Sequence, residues 1–385
     1  MPFVSVRIED DKNDSSMRIR PCCLYDTQDP VKFNTVDEYL KSDLLQELQT
    51  HLLTQDELPA ACKNCAAVES QNQLSVRQLK NKYFSIDPPS KTNIIELDLF
   101  PSNVCNLSCI MCGPKFSSAI GAEQKRMGMI KQVYNFDETD LICDAIETMQ
   151  GLEYVSIAGG EFFYAKHCTR ILKLITQSGI KNFKLTTNGT ICKTAHLELL
   201  QSISNLTIRF SCDGVGDTYN FVRHPSRWDQ VQANILKFKQ ALPHAHFEIV
   251  MVMQPFTVFS LFDWLKFAQQ HTLETHWINI QGPRFTWKML TQQERNTASE
   301  FIMSNLDAAK LDSKQKLALL NYARNTISQE VYDSDHCDQS IDYLINVYKL
   351  RKLTQQQLDN VIGPWQYLKQ KVNMKLSNET CNHSN

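Results

Sequence analysis

From about residue 92 to 284 the chain alternates short apolar strands with helix-period segments, and this alternation settles the fold class before any residue chemistry is considered. Ile94–Phe100, Tyr154–Ala158, Phe183–Thr187, Leu206–Ser211, Phe247–Met253 and His276–Ile280 are the six strands. The first of them alternates apolar and polar side chains, as a strand with two different faces must. Segments such as Thr169–Thr176 and Val231–Phe238 between them carry apolar residues at helical spacing. Strand–helix alternation implies βαβ units on a parallel sheet. Six units predict an α/β fold of the partial (β/α)6, TIM-like barrel type, in which chemistry belongs at the C-terminal ends of the strands.

Every polar motif of this segment falls at those ends. Cys105-Asn-Leu-Ser-Cys109-Ile-Met-Cys112 follows the first strand, Gly159-Gly160-Glu161 the second and Asn188-Gly189-Thr190 the third, while Ser211-Cys212-Asp213-Gly214 ends the fourth. Three thiolates on one short loop can hold three irons of a [4Fe–4S] cube and leave the fourth iron without a protein ligand. An open metal position can bind a small molecule. The competing explanations are a coincidence in a cysteine-rich chain, or a zinc clip. Glycines let a backbone approach a ligand closely, and a carboxylate pairs with an ammonium, although a Gly-Gly-Glu taken alone is only a turn.

The CxxxCxxC loop, followed in this order by Gly-Gly-Glu and Ser-x-Asp-Gly, resembles the radical S-adenosylmethionine (SAM) enzymes. The resemblance implies a [4Fe–4S] cluster on Cys105, Cys109 and Cys112, with SAM chelated to its open iron. Gly159, Gly160 and Glu161 would hold the SAM amino group. Ser211 and Asp213 resemble the SxDG stretch of the peptide- and protein-modifying branch, where the serine bonds SAM. Arg223 stands where that branch places an arginine facing the SAM carboxylate, a task suited to a planar fork; its alternative is a solvated charge on a helix. Met111 resembles the position that packs on adenine, and its flexible thioether can cover a flat ring. Thr187 and Asn188 are expected to shape the site, and Cys212 to be a packing thiol or a second sulfur near it. The implied reaction is one-electron cleavage of SAM to methionine and a 5′-deoxyadenosyl radical that abstracts hydrogen from a substrate. The electron would come from a donor such as flavodoxin or ferredoxin.

Residues 1–91 form a separate N-terminal region with cysteines of their own, Cys22-Cys23 and Cys62-Lys-Asn-Cys65. A CxxC knuckle with a distant cysteine pair is a common way to assemble a four-sulfur metal site. Phe33–Leu40 and Leu44–Leu53 between them are expected to be helices, with Thr35 and Ser42 as caps. The layout with Glu69, Ser75 and Arg77 resembles twitch-type auxiliary regions, which implies a second Fe–S cluster. Adjacent residues rarely both ligate one cube, so the expected ligands are Cys23, Cys62 and Cys65, with Cys22 as a fourth. Structural zinc, closed by both neighbouring cysteines or by His51, and no metal at all stay open.

Residues 285–385 lack strand signals and predict a helical extension: Thr291–Met303, Ile341–Leu350 and a last helix to about Leu376, with frayed residues beyond. The formal charge of −2 over 385 residues gives no general electrostatic attraction to nucleic acid. No basic stretch carries interleaved aromatics, and no apolar run is long enough for a membrane helix. The 13 cysteines cluster as metal sites do, and the N-terminus lacks a signal-peptide pattern, so a reducing, cytoplasmic setting is expected. Three functions follow: a radical SAM enzyme acting on a peptide or protein side chain, one acting on a small metabolite, sugar or nucleoside, and a catalytically inactive metal-dependent binding module.

Overall fold

A computed structural model describes residues 5–10, 17–22, 24, 25, 33, 35–70, 74–84, 94–149, 151–280 and 282–382. Eight strands make one sheet: β1 (Ser5–Asp10), β2 (Met17–Arg20), β3 (Glu96–Leu99), β4 (Tyr154–Ile157), β5 (Asn182–Thr187), β6 (Asn205–Ser211), β7 (His246–Met253) and β8 (Glu274–Asn279). Their order is β2-β1-β3-β4-β5-β6-β7-β8. The six strands β3 to β8 are parallel throughout and are the expected barrel strands.

The sheet also holds a hairpin absent from the sequence reading. Strand β2 pairs antiparallel with β1, and β1 lies parallel to β3. Val6 and Ile8 are fully buried, and Arg7 between them reaches Asp98 on β3 at 2.7 Å. A two-sided strand of this kind extends the barrel edge, so the N-terminal region and the barrel share one sheet.

The strands read alternately inward and outward, as the pleat demands. Leu97, Leu99, Val155, Ile157, Phe183, Leu185, Ile208, Phe210, Ile249 and Met251 are buried in the hydrophobic core. Several of the intervening positions are polar: Asp98 takes Arg7 and Ser156, and Glu248 takes Lys184 and Arg209. The barrel is therefore lined by an ion-paired ladder.

Thr35 and Ser42 cap the helices Val36–Leu40 and Asp43–Thr54 as expected. The extension is helical at Gln292–Asn305, Ser313–Asn321, Ser334–Leu350, Gln355–Ile362 and Gln366–Asn382. Its last helix continues past Leu376 to Asn382, where fraying was expected. Fully buried Trp365 and half-buried Phe301 pack on Phe259, just past β7, and seat the extension against the barrel. No helix among the described residues is long and apolar enough to cross a membrane.

Candidate active site at the strand ends

The cysteine loop leaves β3 through Asn103, whose fully buried side chain ties it down. Asn103 Nδ2 donates to the carbonyls of Pro114 and Tyr134, at 3.1 and 2.8 Å, and Oδ1 accepts from Phe136 N. Ser117 Oγ donates to Leu107 O at 2.7 Å, and Cys105 N donates to Ser118 Oγ at 3.1 Å. Ser108 N and Ile110 N donate to the carbonyls of His224 and Val222. The residues on either side of Cys109 are thus fixed to the segment that carries Arg223.

Cys109 is buried, and Cys105 and Cys112 are half-buried. Burial, and then the neighbouring Cys109, pushes the Cys105 thiol up to about 12. Burial followed by both other thiols raises Cys112. Cys109 is raised by burial and pulled back by Arg223. The three sulfurs therefore sense one another in a poorly hydrated loop, and a metal must displace their protons to bind. Among the described residues no three such side chains converge as the ligands of a single ion do. A cube has no such need, since each iron takes one thiolate. The donor set fits a cube with one open iron.

Gly159 and Gly160 both adopt positive φ, +98° and +55°. A Cβ on Gly159 would sit 1.7 Å from the Phe100 ring, and one on Gly160 2.6 Å from the carbonyl oxygens of Ser102 and Val104. The close approach these glycines permit is to the chain's own β3 end and cysteine loop. Glu161 is buried, and its carboxylate accepts from Phe163 N (3.1 Å), Thr187 Oγ1 (2.8 Å) and Asn188 N (2.6 Å). Burial raises its pKa, and these three bonds oppose the rise. Two carboxylate oxygens offer about four acceptor sites, so one is left for an ammonium.

Asp213 is completely buried and spends both oxygens on the protein. Oδ2 accepts from Arg223 Nε at 2.7 Å and Oδ1 from Val252 N at 2.6 Å. Asp213 thus orients Arg223, whose Nη1 lies 3.9 Å from Cys109 Sγ. Burial works against the guanidinium's charge, but Asp213 and Cys109 hold its pKa above the ordinary value. Arg223 is 8% exposed, so it is not a solvated helix charge. Ser211 and Met111 are half-buried. Cys212 is wholly buried in the core, raised by burial to about 12, as befits a packing thiol.

Asn106, inside the cysteine loop, was missed by the sequence reading. Asn188 Nδ2 donates to Asn106 Oδ1 and Asn106 Nδ2 to Thr190 Oγ1, both at 2.9 Å, which locks the loop to the β5 end. Its position between two cysteines was the available signal. Arg351 and Glu123, which also reach this loop, had none.

In the N-terminal region, Cys22 follows β2 and meets Cys62 and Cys65 around a cavity of about 20 Å³ also lined by Tyr25, Leu48 and Leu52. Burial, then the nearby thiols, raises Cys22 and Cys62. Asn64 Nδ2 ties the knuckle to Leu24 O at 3.2 Å. Glu69 receives Arg77 Nη2 at 2.6 Å and Ser75 Oγ. Cys23 lies outside the described residues, and the structure puts Cys22 with the CxxC pair. The three thiols line one cavity without converging as the ligands of a single ion do.

A family profile described as Radical SAM superfamily matches residues 99–263. Among curated proteins, GTP 3′,8-cyclase of a Synechocystis species is 27% identical over 241 residues, 60% of this chain and 67% of that protein. Among solved structures, Streptococcus suis SuiB bound to S-adenosylmethionine matches with a TM-score of 0.39 at 15% identity, over 70% of this chain and 58% of that one. SuiB bound to its precursor peptide SuiA matches at 0.36 and 15%, over 82% and 60%. The chain thus spans less than two thirds of the length of these two SuiB chains.

Proposed function

We propose a function from the premise that this chain belongs, over residues 99–263, to the Radical SAM superfamily: it is a radical SAM enzyme that abstracts hydrogen from a peptide or protein side chain. Cys105, Cys109 and Cys112 hold the cube, and Arg223, Ser211, Met111 and the Gly159–Glu161 turn receive SAM. The cluster and SAM together supply reductive C–S cleavage and the 5′-deoxyadenosyl radical. The chain's residues position and exclude water. Asp213 presents the Arg223 fork to a carboxylate, Glu161 offers its remaining acceptor site to an ammonium, and the Asn106–Asn188–Thr190 bonds keep the loop from moving. The observation that carries the reading is the convergence of the cysteine loop, the Asp213–Arg223 pair and Glu161 on one end of the barrel. The electron donor would be a flavodoxin or ferredoxin, and Cys22, Cys62 and Cys65, with Cys23, would hold an auxiliary Fe–S cluster.

A second reading, a nucleotide or other small metabolite as substrate, is favoured by the similarity to GTP 3′,8-cyclase. Anaerobic reconstitution followed by reduction with dithionite and SAM tests the common chemistry. Wild type should form 5′-deoxyadenosine, and Cys105→Ala should form none; product from the variant, or none from a fully loaded wild type, sinks the assignment. Deuterium transfer from labelled peptide, as against labelled nucleotides, into 5′-deoxyadenosine separates the two substrates.

A further inference from the structure

The helical extension lies beyond the matched residues, yet it sends one side chain to the cysteine loop. Helix Ser334–Leu350 ends at Arg351, whose N–H donates to Val347 O at 2.9 Å. The Arg351 side chain is 2% exposed, as is that of Glu123 on helix Ser118–Arg126, just downstream of Cys112. Arg351 Nε bonds both Glu123 oxygens at 3.2 Å, and Nη2 bonds Oε1 at 2.9 Å. The same Nη2 donates to the carbonyl of Ser108, whose own N–H is held by His224 O at 2.7 Å. Nη1 is buried and has no partner among the described residues.

An ion pair made only to dock a helix would be satisfied at Glu123. This guanidinium goes further, clamping the peptide that enters Cys109 and leaving its buried Nη1 unpaired among the described residues. Arg223 approaches Cys109 directly, at 3.9 Å. A cube gains negative charge on reduction, and its potential responds to nearby charge, burial and the orientation of its ligands.

We propose that Arg351 is a positioning residue for the barrel cluster: by fixing the Ser108–Cys109 peptide and placing positive charge behind it, it makes the cube on this loop easier to reduce. The inference rests on the radical SAM reading above. It also gives the extension a role in the chemistry.

The test is a potentiometric titration of the reconstituted full chain by electron paramagnetic resonance, following the signal that changes when SAM is added. Arg351→Gln should retain the iron yet show about a tenfold lower ratio of reduced to oxidised cluster at a fixed potential, a shift of about 59 mV for one electron. Arg351→Lys, which keeps the charge, should recover most of that loss, and Glu123→Gln should shift the ratio the other way. If Arg351→Gln does not fold, Glu123→Gln decides: an unchanged ratio in that variant overturns the proposal. A lowered melting temperature with an unmoved potential also overturns it, leaving Arg351 as a structural tie. A wild type that binds no iron on this loop would instead overturn the functional reading, and the inference with it.

Discussion

Asp213 and Arg223 form an ion pair whose carboxylate is wholly buried and whose guanidinium is 10% exposed in its side chain. Removing either member strands the other charge away from water, which typically costs about 3–5 kcal/mol. Asp213→Ala and Arg223→Ala should each lose stability of that order, and the double variant less than their sum, because residues in direct contact are coupled. Urea unfolding of the three variants measures this; strictly additive losses would mean that the pair is not coupled. Gly160 makes a contrasting case. Its positive φ and the carbonyl oxygens 2.6 Å from a would-be Cβ combine backbone strain with a clash. Gly160→Ala should cost about 3 kcal/mol. Gly128 has φ +72° and nothing within 4 Å of its Cβ position, so Gly128→Ala should cost only about 1 kcal/mol. Equal melting temperatures for the two variants would remove packing as the reason for Gly160. The sequence made the need for glycine legible, but not what comes close to it. Expecting a ligand there was natural, since nothing in a linear motif says that Phe100 and the Val104 carbonyl fill the space.

Among the elements, the barrel strands were the most legible because each is a short apolar run with a period of two. The hairpin β1–β2 carries the same signal in Val6-Arg7-Ile8, but its partner β3 lies some ninety residues away, and only the fold reveals that pairing. The inward ladder was likewise hidden, since register decides which charges meet. At Glu248, burial alone would raise the carboxyl, but hydrogen bonds and charge from Lys184 and Arg209 outweigh it and hold the pKa below the usual value. His276 and His246 stand 3.7 and 4.0 Å away, and burial lowers the pKa of His276. The Glu248 contribution to stability is complete above the unfolded carboxyl value of about 4.3 and is lost as pH falls through the lower folded value. Urea midpoints between about pH 5 and pH 3 should therefore fall steeply in wild type and less in Glu248→Gln, which has no carboxyl to protonate there. Parallel slopes for the two proteins would show that the ladder contributes nothing to acid lability.

On the scale of the whole molecule, two cysteine sets lie on one sheet yet share no side chain among the described residues. Cys105, Cys109 and Cys112 follow β3, while Cys22 follows β2, two strands over, and meets Cys62 and Cys65 against the helix Asp43–Thr54. The link between them is structural: the β1–β3 pairing, Arg7 on Asp98, and Lys80 on Glu96 at 2.6 Å. That separation predicts independent loading. Cys62→Ser/Cys65→Ser should lower iron after anaerobic reconstitution from about eight to about four per chain, the content of one cube. Formation of 5′-deoxyadenosine should persist, because the barrel loop keeps all its ligands. A wild type with about four irons and one zinc, the zinc alone lost in the variant, would make the N-terminal site a structural clip. Loss of all iron would mean that the first region must hold its metal before the barrel loop can form.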